Sequence, residues 1–311
     1  MTGFRRPLLI AHRGFPGLRL EHTRASYELA IDEGADYIEP DVVATKDGQL
    51  VVRHENEISG TTDVADHPEF ADRKATKIID GSSLTGWFTE DFTLAELKTL
   101  RTKERIPDIR PHNVELNGTT LILTFDEVVQ IAAEGTQRRG STVGIYVETK
   151  HPSYFASVGL DLNDLLMDSL EGHGLNRQEA PVIIQSFESA NLRELDARTP
   201  LFLVRLVSPK QRADLDDLSD IASFADAIGP QKDLVIPRTK DGQLGEPTDL
   251  VDRAHAAGLE VHIWTMRDEP KFLPAGHSAL EEYAAFFETG VDGLFTDWTS
   301  TAVEARDAWT G

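Results

Sequence analysis

Several short apolar stretches of the chain end in side chains that can hold a metal, grip a phosphate or move a proton. "LLIAH" runs into His12, Arg13 and Gly14, "DYIEPD" carries Glu39 and Asp41, and "LVVRH" ends in His54. "IYVETK" supplies Glu148 and Lys150, while "VIIQSF", "VHIWTM" and "GLFTD" present Gln185, Trp264 and Asp297. Glu39 and Asp41 stand two apart on an extended chain, so they face the same way. Two carboxylates that close repel unless a proton or a cation intervenes. Glu148 would add a third oxygen donor, and with no soft ligand nearby such a set suits Mg²⁺ or Ca²⁺ rather than zinc or copper. His12 and His54 exchange protons near neutrality and suit general acid and base work on a phosphate ester. Arg13 offers a planar fork for phosphate oxygens, and Lys150 a point charge. Each residue also has an ordinary structural explanation. The acidic pair could meet a surface lysine such as Lys46, either histidine could be a satisfied polar group, and Arg13 could sit in a surface ion pair. Trp264 and Phe187 could be barrel lining or a ligand platform. His22, His112, His151, His255 and His262 occupy no comparable place and read as structural or solvated.

The elements that must position these residues alternate along the chain. Strand-like runs ("LLIAH", "DYIEPDVVA", "LVVRH", "TVGIYVE", "VIIQSF", "LFLVRLV", "DLVIP", "EVHIWTM", "GLFTD") are separated by helical patterns such as "TRASYELAIDEGA", "LNDLLMDSLEGHG", "SANLRELDA", "PTDLVDRAHAAG", "ALEEYAAFFETG" and "STAVEARDAW". The strands are apolar enough to be buried on both faces. About eight such units predict an α/β fold, a (β/α)8 barrel whose catalytic rim is the carboxyl end of its strands. A doubly wound open sheet is the alternative. The chain of 311 residues reads as one domain over 1–311. An inserted segment at 55–121, following the strand that ends at His54, breaks the alternation. Within it "FTLAELKTL" reads as a helix with Thr93 as N-cap and Glu96 three residues on. The segment is expected to cap the rim. Its aromatics Phe70, Trp87, Phe88 and Phe92 would either wall the pocket or form a small core of their own. "TKDGQL" occurs at Thr45 and again at Thr239, which reads as two Asp-Gly turns rather than a duplicated half-barrel.

Bulk properties narrow the partners. A formal net charge of −22 argues against nucleic acid and anionic membranes. No apolar run is long enough for stable membrane insertion. The absence of cysteine removes disulfides, zinc-thiolate sites and cysteine nucleophiles. No signal peptide is visible, which predicts a cytoplasmic protein, or a secreted or periplasmic one whose leader has been removed. The oligomeric state is not legible.

"AHRG" followed by "EHTRASYELAIDEGADYIEPDVVATKDGQLVVRHE" resembles the opening of the glycerophosphodiester phosphodiesterase family, and "VETK", "IIQSF", "VHIWT" and "VDGLFTDW" resemble its later strands. The resemblance covers nearly the whole chain. "TTDVADHPEFADR" and "WFTEDFTLAELKTL" are similar to a long-insertion subgroup with periplasmic and secreted members. The resemblance implies a (β/α)8 barrel and a metal-dependent hydrolysis of glycerophosphodiesters to glycerol 3-phosphate and an alcohol. Glu39, Asp41 and Glu148 would hold a divalent metal, Ca²⁺ or Mg²⁺, and His12 and His54 would be the acid–base pair. Arg13 would contact phosphate, Lys150 would lie near the substrate, and Trp264 would be a strand-end aromatic of the pocket. Glu21 would be a hydrogen-bond acceptor in the site or a group behind it. The attacking group could be water or the glycerol 2-hydroxyl, and the two histidines are interchangeable between the roles. His22 stands where Asn is usual, Glu55 where Asp is, Arg267 where Asn often follows "WT", and "LILTFDEV" where "IPTFDEV" is common. These departures touch the pocket rim and substrate range. Two rival readings are a phosphodiesterase of the same barrel class acting on phospholipids or lysophospholipids, and a non-catalytic phosphate- or sugar-binding barrel. The first needs an exposed docking surface. The second would not need both histidines beside a carboxylate trio.

Overall fold

The structure, a computed structural model, describes residues 6–310. In chain order the elements are β1 (Leu8–His12), α1 (Arg24–Asp32), β2 (Tyr37–Glu39), β3 (Asp41–Ala44), β4 (Leu50–Val52), β5 (Ala75–Ile79), β6 (Ser82–Gly86), α2 (Leu94–Leu97), α3 (Phe125–Arg139), β7 (Gly144–Thr149), α4 (Pro152–Ser157), α5 (Leu162–Gly172) and β8 (Val182–Ser186). They continue through α6 (Ser189–Asp196), β9 (Phe202–Val207), α7 (Leu218–Ile221), β10 (Ala227–Pro230), α8 (Leu250–Ala256), β11 (Glu260–Met266), α9 (Ala279–Phe287), β12 (Gly293–Thr296) and α10 (Thr299–Ala308). Strands β1, β2, β7, β8, β9, β10, β11 and β12 pair in that order, all parallel, and β12 returns to β1 to close the barrel.

Closure explains why the strands are apolar throughout. Alternate side chains point into the barrel and out against the helices, so neither face meets water. Ile10, Tyr146, Ile183, Val204, Ala227 and Phe295 pack inside the barrel. The larger layer between strands and helices includes Leu9, Ile38, Val147, Ile184, Leu203 and Leu294. His262 belongs to the inner core, with Nδ1 2.8 Å from the Tyr146 hydroxyl and its ring stacked on Phe202. Among the described residues no helix is long and apolar enough to cross a membrane.

Two strand expectations need correction. "LVVRH" is not a barrel strand. Its β4 portion runs antiparallel to β3, pairing Val42 with Val52 and Ala44 with Leu50. The short "TKDG" turn between them can join antiparallel neighbours, whereas a parallel crossover needs a dozen or more residues. His54 follows on a bend beyond β4. "DLVIP" is not a strand either; the barrel strand is "AIGP" of β10. Gly and Pro there look like breakers. Gly229 leaves room for its neighbour on β9: a Cβ there would come within 2.6 Å of Leu206 Cδ2, so that side chain would have to shift. Val235 and Ile236 are buried as filling beneath a loop.

The segment between β4 and α3 carries the β5–β6 hairpin and α2, and antiparallel pairing of Val51 with Thr124 brings its two ends together. Thr93 and Glu96 form a reciprocal capping box, although the helix they start is only four residues long. Phe70 packs edge-on against Phe92 at 5.1 Å, and Trp87 donates its indole N–H to the Phe70 carbonyl at 2.7 Å. Phe70, Trp87 and Phe92 therefore pack on one another, in a cluster continuous with the layer between strands and helices.

Candidate active site

The carboxyl ends of β2 and β7 and the start of β3 bring Glu39, Glu148 and Asp41 together, each offering an oxygen within 4.8 Å of the others, and all three are buried. Glu39 Oε2 accepts the Arg13 backbone N–H at 2.8 Å, and Oε1 accepts from Gln185 Nε2, at the end of β8, at 3.1 Å. Asp41 Oδ2 accepts from His22 Nε2 at 2.9 Å and lies 3.3 Å from Arg13 Nε. Asp41 Oδ1 is buried with no hydrogen-bond partner. Lys150 Nζ lies 2.9 Å from Glu148 Oε1. Burial, with the charges of Asp41 and Glu148, pushes the Glu39 carboxyl well above its ordinary range. Burial and Asp41 push Glu148 up to about 8 against the pull of Lys150. Asp41 goes the other way: despite burial, Lys150, His22, His54 and Arg13 hold it well below. Three such carboxylates cannot all be charged in a dry pocket without a cation. The donors are hard oxygens only, and one is an orphan aimed into the cluster, so the residues fit a divalent ion of the calcium or magnesium type.

The two histidines are each held through Nδ1. His12 Nδ1 is 2.5 Å from Asp297 Oδ1, and Asp297 Oδ2 receives Arg110 at 2.5 Å and Arg267 at 2.7 Å. Burial alone would raise the Asp297 carboxyl, but Arg267, Arg110 and His12 hold it well below its usual range. His54 Nδ1 is 2.7 Å from Glu55 Oε1, and its Nε2 stands 3.4 Å from Lys150 Nζ. Glu55 is fixed in turn by His151 Nε2 at 3.0 Å, and His151 Nδ1 by Asp80 at 2.6 Å, in the tip between β5 and β6. Burial and Arg13 lower His12 to about 4. Burial, Arg13 and Lys150 lower His54 to about 3. Both shifts favour the neutral ring, with the Nδ1–H on a carboxylate, and the His54 Nε2 lone pair faces the Lys150 ammonium.

Local backbone makes this possible. Arg13 and His22 have φ of +60° and +58°, and Asp80 and His151 have +47° and +52°. Such left-handed conformations cost non-glycine residues of order 1–3 kcal/mol each and persist where the surroundings over-determine them. The turn at Arg13 lets its N–H reach Glu39 while its guanidinium folds back to Glu21 Oε2 at 3.1 Å. Of the two places open to Glu21, in the site or behind it, its carboxylate takes the second: it stands behind Arg13, shared with Arg105 Nε at 2.8 Å, and positions that guanidinium.

These groups open onto a cavity of about 1170 Å³. His12, Arg13, Glu39, His54, Glu148 and Lys150 line one part. Trp264 lines it too, with its indole N–H on the Gly229 carbonyl at 2.7 Å and its ring edge-on to Phe187 at 5.6 Å. The insertion reaches the cavity through Glu55 and Asp80, and its aromatics do not wall it. The rest of the rim comes from the loops after β9, β10 and β11. The sequence places Asp297 at a strand end without giving it a role, reads His22 and His151 as structural or solvated, and offers nothing for Arg105 and Arg110. Asp297 had a signal, since it follows a strand as His12 does. The others arrive through turns and the insertion, where no periodicity marks them.

The profile of the glycerophosphoryl diester phosphodiesterase family matches residues 12–301. A glycerophosphodiester phosphodiesterase of Arabidopsis thaliana is 38% identical over an alignment spanning 95% of this chain and 85% of that protein. One from Bacillus subtilis is 29% identical over 94% of this chain and 84% of its own length. Among solved structures, an Oleispira antarctica phosphodiesterase in complex with the product sn-glycerol-3-phosphate aligns over 97% of each chain with a TM-score of 0.67 and 21% identity, a likeness of fold.

Proposed function

The chain belongs to the glycerophosphoryl diester phosphodiesterase family, and on that premise we propose that this site hydrolyses a glycerophosphodiester to glycerol 3-phosphate and an alcohol, with Glu39, Asp41 and Glu148 holding one Ca²⁺ or Mg²⁺ ion. The observation that carries the reading is the meeting of a buried hard-oxygen triad with two histidines whose Nδ1 atoms are each held by a carboxylate. When bound, the ion would polarise the phosphoryl oxygens and offset their growing charge. Arg13 and Lys150 supply further positive charge where the phosphate must sit. One histidine takes the proton of the attacking oxygen through Nε2, from water directly or from the glycerol 2-hydroxyl, in which case water then opens the cyclic phosphate. The other, protonated in the loaded site, gives a proton to the departing alcohol oxygen as the P–O bond breaks. Asp297 and Glu55 keep the rings turned and favour the imidazolium that forms in each half of the exchange.

Incubating the purified protein with glycerophosphocholine and Ca²⁺ or Mg²⁺ tests the reading. Glycerol 3-phosphate and choline are the expected products. Phosphocholine with glycerol, or no cleavage with either ion, would refute it.

The metal assignment also predicts a pH-dependent stabilisation. The Glu148 carboxyl moves from an ordinary 4.5 to about 8 in the folded chain without metal. A raised carboxyl costs nothing below its unfolded value, and the cost is complete above its folded value. A divalent ion displaces that proton and removes the penalty. The rise in Tm produced by saturating Ca²⁺ is therefore expected to grow as pH climbs from about 5 to about 8. Thermal scans at three pH values with and without Ca²⁺ check this, and a rise independent of pH would contradict it.

A further inference from the structure

We propose that the part of the cavity walled by the loops after β9, β10 and β11 is a subsite for an anionic group, a carboxylate or a second phosphate, carried by the variable alcohol of the diester. The proposal rests on the catalytic reading above and adds a substrate class to it. In a chain of net charge −22, this wall presents Lys210, Lys232, Arg238, Arg267 and Lys271. Three of them are neutralised by the protein. Lys232 and Arg238 share Glu282 Oε1 at 2.7 and 2.8 Å, and Arg238 also stands 3.5 Å from Asp233. Arg267 donates to Asp297 at 2.7 Å. Lys210 and Lys271 make no hydrogen bond or ion pair with any described residue, yet both line the cavity.

The loops that carry these two lysines are tied down. Ser208 and Gln211 form a capping box beside Lys210, and Gln211 Nε2 donates to the Phe187 carbonyl at 3.0 Å. Next to Lys271, the Phe272 N–H closes a turn on the Glu269 carbonyl at 2.8 Å. The cavity, about 1170 Å³, exceeds the ~300–1,000 Å³ usual for small-ligand sites, so it holds more than a glycerol phosphate. Leu206, Phe272 and Leu273 line it for the carbon skeleton of a longer alcohol.

Phe187 and Phe272 each already carry a protein cation. Lys150 lies over the Phe187 ring at 5.7 Å, and the Arg267 guanidinium over Phe272 at 4.8 Å. With protein cations already on those faces, a quaternary ammonium gains no free π-surface there and meets repulsion from the lysines. A negatively charged alcohol meets the opposite field.

The test compares glycerophosphocholine, glycerophosphoglycerol, glycerophosphoglycerol bearing a terminal phosphate, and glycerophosphoglycerate, using the wild type and the double variant Lys210→Gln/Lys271→Gln. Wild type is expected to show a kcat/KM about tenfold higher for the two anionic diesters than for glycerophosphocholine, fading as salt rises past about 0.1 M. The double variant should lose that preference while hydrolysing glycerophosphoglycerol at the wild-type rate. Lys271→Glu should invert it. No anionic preference in the wild type, or a preference unchanged in the variants, overturns the proposal. A chain that cleaves none of the four refutes the catalytic reading, and calorimetric Kd values for the same diesters then decide the subsite by the same comparison.

Discussion

Replacing His12 by alanine is expected to lower kcat about a hundredfold or more, as is replacing His54, the usual scale for a positioned acid or base. The fold should survive both changes. Without His12, Asp297 keeps Arg110 and Arg267 on Oδ2, so no buried carboxylate is left unpaired. Without His54, whose side chain is 25% exposed, Glu55 keeps its bond to His151. The loss should fall on kcat, with KM little changed, because neither ring is needed to hold the diester. Steady-state kinetics on glycerophosphocholine, beside a thermal scan of each variant, separates chemistry from folding. Normal turnover in either variant would remove that residue from the mechanism.

Asp41→Asn is expected to weaken divalent-ion binding and turnover together, each by about a hundredfold or more, since the polarisation a bound metal supplies amounts to several kcal/mol. Asparagine nearly matches aspartate in shape and can still accept the His22 bond. What is lost is the charge on Oδ1, the buried oxygen that no protein group satisfies. Arg13 and Lys150 then keep Glu21 and Glu148 but lose the charge of Asp41 between them, so a modest fall in Tm is expected as well. Calorimetric titration of Ca²⁺ and Mg²⁺ into metal-free wild type and variant reads the affinity directly. Unchanged ion binding in Asp41→Asn would place the metal elsewhere.

Much of the barrel was legible because its strands obey a simple rule: an apolar run buried on both faces, then a chemical residue at the strand's end. His12, Glu39, Glu148 and Gln185 follow it, and the structure gathers them on one rim. His54 follows it only by coincidence. Its strand is apolar because β4 is buried against β3 and not because it belongs to the barrel. β10 was missed for the converse reason. Gly229 makes room for the Leu206 side chain on the adjacent strand β9, and glycine reads as a turn when that paired neighbour is unseen. His22 and His151 were illegible in another way. Each reaches the site through a left-handed turn, and nothing in a linear pattern says that a histidine so placed will face Asp41 or Glu55. Arg105 and Arg110 lie 84 and 187 positions from Glu21 and Asp297, pairings that only the folded insertion brings about.

The central claim is that this chain cleaves a glycerophosphodiester through a cation held by its carboxylate triad. Stripping the protein of metal, adding glycerophosphocholine, and following the phosphorus resonances while Ca²⁺ or Mg²⁺ is titrated in tests that directly. The expected result is no product before the ion is added, then glycerol 3-phosphate appearing at a rate that saturates at one ion per chain. Full turnover of the stripped protein would contradict it, and so would a cation-driven reaction undiminished in Asp41→Asn.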